Sequence, residues 1–353
     1  MSGGVDSSAA ALLMKERGYE CIGVTMKLFG NEDIRAESDR SCCSLEDAED
    51  ARSVAAGLDM PFYVYDFTDR FRRDVIDRFA DAYEQGRTPN PCIDCNRYLK
   101  FDELFRKADD LGCEYIVTGH YARVVFDEER GRYLLKKGAD RKKDQSYVLY
   151  ALTQEQLARV IFPLGDMEKT EIRRIAAEAG FVNAEKPESQ DICFVKDGKY
   201  GDFLEAYRGV QYPEGDFVFA DGTVAGRHRG IVRYTVGQRK GLGLALKKPA
   251  YVCAIEPETN TVRLGDNEDL FNRVVYAEDV NLISVPEIRG ELRVSARVRY
   301  HQPERPAVVT QTGPRSVRLV FDEPQRAITP GQSLVMYQDD VVVGGGIITG
   351  TER

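Results

Sequence analysis

The sequence predicts an α/β chain. A parallel sheet wrapped by helices occupies residues 1–206, a small central β-rich domain 207–275, and a C-terminal β-barrel 276–353. Three observations predict this. Apolar strand-like runs alternate with amphipathic helical stretches as far as about residue 120, the pattern of a helix-covered parallel sheet. Helical periodicity then disappears from about Tyr212, where short Val/Ile/Tyr-rich runs alternate with turns such as Asp221-Gly222 and Thr329-Pro330-Gly331. Finally, 353 residues are enough for two or three domains.

The elements follow in order. Residues 7–17 read as a helix closed by Gly18, and 19–28 as a β-rich run containing Cys21, Ile22, Val24 and Thr25. The stretch 31–40 is polar and strand-poor and reads as a mobile loop. Ser44 starts a second helix, with Asp47 completing a capping box and Gly57 ending it. Residues 62–67 form a strand, 68–85 a long helix, 101–111 another helix ended by Gly112, and 115–118 a short strand. Helices return at 153–160 and 170–179. In the last domain Gly344-Gly345-Gly346 marks a bend of the barrel. Gly241-Leu242-Gly243 lacks the third glycine of a dinucleotide fingerprint and reads as a turn.

Composition places the chain among soluble globular proteins, with 42% hydrophobic and 30% charged residues. No apolar run approaches the roughly 18–20 residues of a membrane span. No basic-then-apolar leader opens the chain, so a cytoplasmic location is expected. The net charge is −9, which on its face argues against a nucleic-acid partner. The charge is segregated, however. Residues 31–87 hold 15 acids against 8 bases, and 136–143 hold five bases and one acid. Residues 227–248 hold seven bases (Arg227, Arg229, Arg233, Arg239, Lys240, Lys247, Lys248) and no acid. Arg293, Arg297 and Arg299 add an alternating basic strand.

The chemistry begins at Ser2-Gly3-Gly4-Val5-Asp6-Ser7-Ser8. Two glycines let the backbone approach a ligand, while serine hydroxyls and the N–H groups of a helix start face an anion. The lysine of the G-x-x-x-x-G-K-[ST] loop is absent, so this phosphate cradle is of another kind. The eight cysteines stand at 21, 42, 43, 92, 95, 113, 193 and 253. Without a leader, a disulfide scaffold is not expected. Cys92-Ile93-Asp94-Cys95 lacks the second close pair of a structural zinc site. Cys21, Cys113 and Cys253 read as buried thiols without chemical role, and Cys42-Cys43 as structural.

Together these segments form a recognisable set. The loop at 2–8 resembles the S-G-G-x-D-S loop of the PP-loop ATP pyrophosphatases. With residues 88–101, Thr118-Gly119-His120-Tyr121-Ala122, Lys143-Asp144-Gln145-Ser146-Tyr147, Ser189-Gln190-Asp191-Ile192-Cys193-Phe194 and Thr329-Pro330-Gly331-Gln332, the chain resembles the tRNA-specific 2-thiouridylases over residues 1 to about 350. The resemblance implies a PP-loop catalytic domain, a central domain and a tRNA-binding barrel. It implies ATP with Mg2+ as co-substrate, tRNA for Lys, Glu and Gln as substrate, and a persulfide donor, either a cysteine desulfurase or a sulfur carrier. The activity implied is adenylation of the wobble uracil O2, followed by sulfur transfer from a cysteine persulfide.

By the same resemblance, Cys193 bears the persulfide and Cys95 resolves the transfer, the two closing into a disulfide. Ser2, Gly3, Gly4, Val5, Asp6 and Ser7 with Met26 and Gly119 hold ATP. Asn90, Pro91 and Cys92 touch the target base. His120, Lys143, Asp144, Gln145, Arg299, Tyr300 and Gln332 contact tRNA. The family places a buried strand before the loop, whereas this chain begins at the loop. The expectation is that the natural start lies upstream of Met1. Cys92 stands where several members carry an aspartate proposed as an acid/base group, with Asp94 two residues on. The alternative to the persulfide route has Cys92, Cys95 and Cys193 ligating three irons of a four-iron cluster. Other PP-loop adenylating enzymes, such as a tRNA lysidine synthetase, use an amine nucleophile and need neither Cys95 nor Cys193. A pure tRNA-binding protein needs neither the cysteines nor the loop.

Overall fold

The computed structural model describes residues 1–29, 45–187, 192–195 and 198–352. The expected loop at 31–40, Cys42, Cys43, Ser44 and Ser189, Gln190 and Asp191 lie outside the described residues. The chain divides into two compact units. The first holds 1–76, 92–197 and 340–342, and the second 77–91, 198–339 and 343–353.

In the first unit, α1 (Val5–Glu16) follows the glycine loop directly. Ala9 and Ala10 are small enough to let Tyr121, Leu164 and Ile172 pack closely against it. Strand β1 (Gly23–Lys27) is followed by α2 (Leu45–Gly57) and β2 (Phe62–Asp66), and β1 and β2 pair in parallel. A parallel pair requires such a crossover. Residues 68–85, expected as one helix, contain α3 (Thr68–Phe71), a π-helical stretch Arg72–Asp77 and α4 (Arg78–Glu84). The helix expected at 101–111 starts earlier. It opens with α5 (Pro91–Asp94), passes through π-helical Cys95–Glu103 and ends with α6 (Leu104–Asp110). Asn90-Pro91 carries that signal, because proline is pre-organised for the first helical position. Strand β3 (Ile116–Val117) precedes an antiparallel hairpin, β4 (Ala122–Asp127) and β5 (Arg132–Lys137). Helix α7 (Gln154–Ala158) is opened by a capping box of Thr153 and Gln156. Strand β6 (Val160–Ile161) then pairs in parallel with β3, and α8 (Lys169–Glu178) follows.

The second unit includes 77–91, which the sequence reading placed in the N-terminal domain. Its aromatic residues explain this. Phe79 and Tyr83 pack on Tyr200 of α9 (Tyr200–Arg208), and Arg208 pairs with Asp77 and Glu84. Strands β7 (Gly215–Phe219), β8 (Val224–His228), β9 (Tyr251–Glu256) and β10 (Thr261–Gly265) form one sheet in the order β8-β7-β10-β9. The remaining strands are β11 (Phe271–Leu282), β12 (Glu291–Arg297), β13 (Arg305–Gly313), β14 (Ser316–Arg326), β15 (Ser333–Gln338) and β16 (Val341–Thr351). They close into a six-stranded barrel in the order β11-β14-β13-β12-β15-β16, with β16 returning to β11. Alternate residues such as Val294, Val309, Leu319, Phe321 and Met336 fill it. The three glycines lie within β16, opposite an irregular register in β11. A Cβ at Gly344 would stand 2.3 Å from the Asn281 carbonyl oxygen, so only glycine permits this approach. No helix among the described residues is long and apolar enough to cross a membrane.

Candidate active site

The loop before α1 is shaped as an anion cradle. Gly3 has φ +67°, a left-handed conformation that glycine adopts freely, and Gly4 caps α1 without any side-chain hydrogen bond. The N–H groups of the first turn therefore remain for a ligand, and the helix dipole favours negative charge there. Ser7 Oγ donates to Gly4 O at 2.9 Å and accepts from Ser2 N at 3.1 Å, which closes the loop on itself. Lys169 at the start of α8 reaches back to Asp6, its Nζ 2.7 and 2.8 Å from the two carboxylate oxygens. Tyr121 donates to the same carboxylate at 2.7 Å. Gly119 abuts this turn, since a Cβ there would lie 2.7 Å from the Asp6 carbonyl carbon. Met26 is half-buried on β1. The residues present fit a polyphosphate.

Sequence reasoning missed Lys169. The signal was available, because a lysine in the first turn of a helix opposes the dipole and needs another reason to be there.

Cys92 is exposed, and Cys95 and Cys193 are half-buried, all within the first unit. Helix α3 supports the segments that carry Cys95 and Cys193. Arg70 of α3 pairs with Glu103, at the end of the π-helical stretch that Cys95 begins, and Arg106 meets the same carboxylate at 3.0 Å. Phe71, fully buried on the same helix, meets Phe194 edge-on at 5.6 Å between ring centres. Phe194 directly follows Cys193. A π-helical stretch is rare, and its appearance at functional positions is a recurrent use of the extra residue. Among the described residues, no three His, Cys, Asp or Glu side chains are grouped to hold a metal ion.

Asn90 is half-buried and Pro91 buried, and the chain passes from the second unit to the first between Pro91 and Cys92. In the second unit the preceding residues are held firmly. Gln332 Nε2 donates to Thr88 O at 2.7 Å and Pro89 O at 3.3 Å, while Thr88 N donates to Pro330 O at 2.9 Å. Arg299 donates to Val236 O at 3.0 Å and to the Thr329 hydroxyl. Tyr300 is half-buried against His301. Gln332 and Arg299, expected as tRNA contacts, thus hold internal positions. In the first unit, Asp144 accepts from Gly138 N and Ser146 N, and Gln145 exchanges hydrogen bonds with the Tyr121 backbone. Lys143 is half-buried.

His120 is 7% exposed, lies between Phe101 and Phe162, and shares a 2.7 Å hydrogen bond with Thr118. Burial, and then the nearby charge of Lys100, hold its pKa well below the usual histidine value. The folded protein therefore binds fewer protons than the unfolded chain once pH falls below about 6.5, the ordinary histidine value. Stability present above that pH is lost as pH falls toward the lowered folded value. Denaturant titrations at pH 7.5 and 5.5 should show a larger drop for the wild type than for His120→Phe.

The basic segments are partly spent on ion pairs. Arg227 pairs with Asp216 at 2.9 Å, and Arg233 with Asp202 and Glu205. Arg293 pairs with Asp322 and Arg297 with Glu304. The alternating arginines of β12 are therefore not a bare basic stripe. Arg239, Lys240, Lys247 and Lys248 remain exposed on one loop, where Gly241 and Gly243 turn at positive φ around buried Leu242. Cys253 lies on β9, half-buried, and burial pushes its thiol up to about 11. Cys21 is raised for the same reason.

A helix start open to an anion and two cysteine-bearing segments on a shared support thus lie in one unit. Comparison with known proteins agrees. Residues 1–197 match the family model described as tRNA methyl transferase HUP domain, 201–266 its PRC-barrel domain, and 272–348 the aminomethyltransferase β-barrel domain. The tRNA-specific 2-thiouridylase MnmA of Clostridioides difficile is 52% identical over 348 residues, 99% of this chain and 96% of that protein. The protein of the same name from Moorella thermoacetica is 54% identical, covering 99% and 98%. The chain belongs to the tRNA-specific 2-thiouridylase family.

Proposed function

We propose that this protein replaces the 2-oxygen of the wobble uridine of Lys, Glu and Gln tRNAs with sulfur, using ATP as its magnesium salt. The uracil O2 attacks the α-phosphorus, and the bond to the pyrophosphate oxygen breaks. A poor leaving oxygen becomes part of an AMP ester, and C2 becomes electrophilic. The amide-lined loop offsets the charge of the phosphates, and Lys169 holds Asp6 of that loop in place. The outer sulfur of a persulfide on Cys193, supplied by a cysteine desulfurase or carrier, attacks C2. The Cys95 thiolate then attacks Cys193 Sγ. The S–S bond breaks, its electrons pass to the sulfur on C2, and AMP leaves as the C=S bond forms. A Cys95–Cys193 disulfide remains, to be reduced by an external thiol. Met26 and Gly119 line the nucleotide, and Asn90, Pro91 and Cys92 border the base. His120, Lys143, Asp144, Gln145, Arg299, Tyr300 and Gln332 lie in the segments that meet tRNA.

The observation that carries this reading is the pairing in one unit of an uncapped glycine-loop helix start with the Cys95 and Cys193 segments on α3. An amine-using synthetase has no need of the second feature. The test is reconstitution with unmodified tRNA, ATP and a persulfide donor. AMP, pyrophosphate and 2-thiouridine should form in equal amounts, and AMP formation without thiolated product would refute it.

The exposed loop with Arg239, Lys240, Lys247 and Lys248 supplies phosphate contacts. Neutralising all four to glutamine should weaken tRNA binding and flatten its salt dependence, each lost contact removing roughly 0.7–0.9 from the log–log slope. Filter binding between about 50 and 200 mM salt reads this directly, and an unchanged slope would remove the loop from the interface.

A further inference from the structure

Residue Asn183, about 180 positions from the glycine loop in sequence, is 1% exposed and donates from Nδ2 to Gly3 O and to Ser8 Oγ, both at 2.9 Å. Ser8 Oγ passes the bond on to Gly4 O at 3.2 Å. We propose that Asn183 is a positioning residue for the nucleotide loop. It fixes the Gly3–Gly4 peptide so that its N–H faces the phosphates. The inference rests on the reading of that loop as the ATP site.

The peptide unit is planar and trans, so its C=O and N–H point in opposite directions. Gripping the Gly3 carbonyl therefore aims the Gly4 N–H the other way. An anion cradle works only when its carbonyls are turned from the anion, and at Gly3 the positive φ alone does not select that orientation. The grip is rigid because the turn at 181–186 is held from several sides. Lys186 N donates to Asn183 O at 3.1 Å, and Arg173 of α8 donates to Ala184 O at 3.2 Å. Lys186 Nζ pairs with Asp47 and Asp50 of α2 at 2.7 and 2.6 Å. Asp47 is also the residue against which Gly3 packs. One turn thus fixes both the carbonyl and the wall behind it. Asn183 Oδ1 is buried with no hydrogen-bond donor among the described residues.

The test is steady-state pyrophosphate release with tRNA, read as KM for ATP and kcat across pH 5.5–8.5. Asn183→Ala should raise KM about tenfold, the scale of one net hydrogen bond, with kcat changed less than about threefold. Asn183→Asp is nearly isosteric. At pH 8.5 its carboxylate faces a carbonyl and should raise KM further. As pH falls, the protonated acid regains one donor and KM should return toward the wild-type value, a profile neither the wild type nor Asn183→Ala shows. A lowered melting temperature with unchanged KM in both variants would overturn the proposal, as would a pH-independent KM in Asn183→Asp. A wild type that neither binds nor cleaves ATP would overturn the ATP reading as well. Normal wild-type turnover with unaffected variants overturns this inference alone.

Discussion

Cys193→Ser should lower 2-thiouridine formation by about 10³-fold or more while tRNA-dependent pyrophosphate release survives, and Cys95→Ser should do the same. In the proposed reaction the phosphates meet the start of α1, and sulfur arrives on segments seated on α3 through Phe71–Phe194 and Arg70–Glu103. A serine hydroxyl cannot carry a persulfide, but it leaves the loop untouched. The variants should differ in one respect. After incubation with a persulfide donor, Cys95→Ser should retain a labile sulfur that is detectable by mass, and Cys193→Ser should not. Simultaneous loss of pyrophosphate release and thiolation in both would place the cysteines in folding rather than chemistry.

Gly3→Ala should reduce pyrophosphate release by roughly 10²-fold or more. An added Cβ would stand 2.3 Å from Asp47 O, 2.6 Å from its Cα and 2.7 Å from its carbonyl carbon, all backbone atoms that cannot swing aside. The loop must move by an appreciable fraction of an ångström, and misplacement by about 1 Å costs about 10²-fold when geometry governs the rate. The left-handed φ adds about 1 kcal/mol or more of strain. Gly18→Ala separates the two effects. Its φ is +84° but nothing lies within 4 Å of the new Cβ, so it should lose stability and keep activity. Thermal melts and initial rates of both variants check this.

The parts of the site that are local in sequence were legible there. The glycine loop announces itself because its glycines, hydroxyls and helix start are consecutive. The succession from helix-wrapped sheet to barrel was legible because period 3.6 gives way to short β-rich runs. The contacts that make the site work are not local. Asn183, Lys169 and Lys186 reach residues 136 to 180 positions away, and no spacing rule marks such partners. Phe79, Tyr83 and Asp77 likewise find partners on α9, more than 100 positions away in sequence. The hairpin Ala122–Lys137 turns through Glu128-Glu129-Arg130-Gly131, which lacks the Asn-Gly or Asp-Gly pair that marks a tight hairpin in sequence. Charge counting overstated the basic face for a related reason: Arg227, Arg233, Arg293 and Arg297 have carboxylate partners that a one-dimensional tally cannot see.

In the proposed function the loop and the two cysteines serve one reaction on tRNA. Nucleoside analysis of bulk tRNA from a strain lacking this chain, complemented with the wild type or with Cys193→Ser, tests it most directly. Wobble 2-thiouridine should disappear in the deletion, return with the wild-type chain and stay absent with the serine variant. Undiminished 2-thiouridine in the deletion strain, or full restoration by Cys193→Ser, would contradict it.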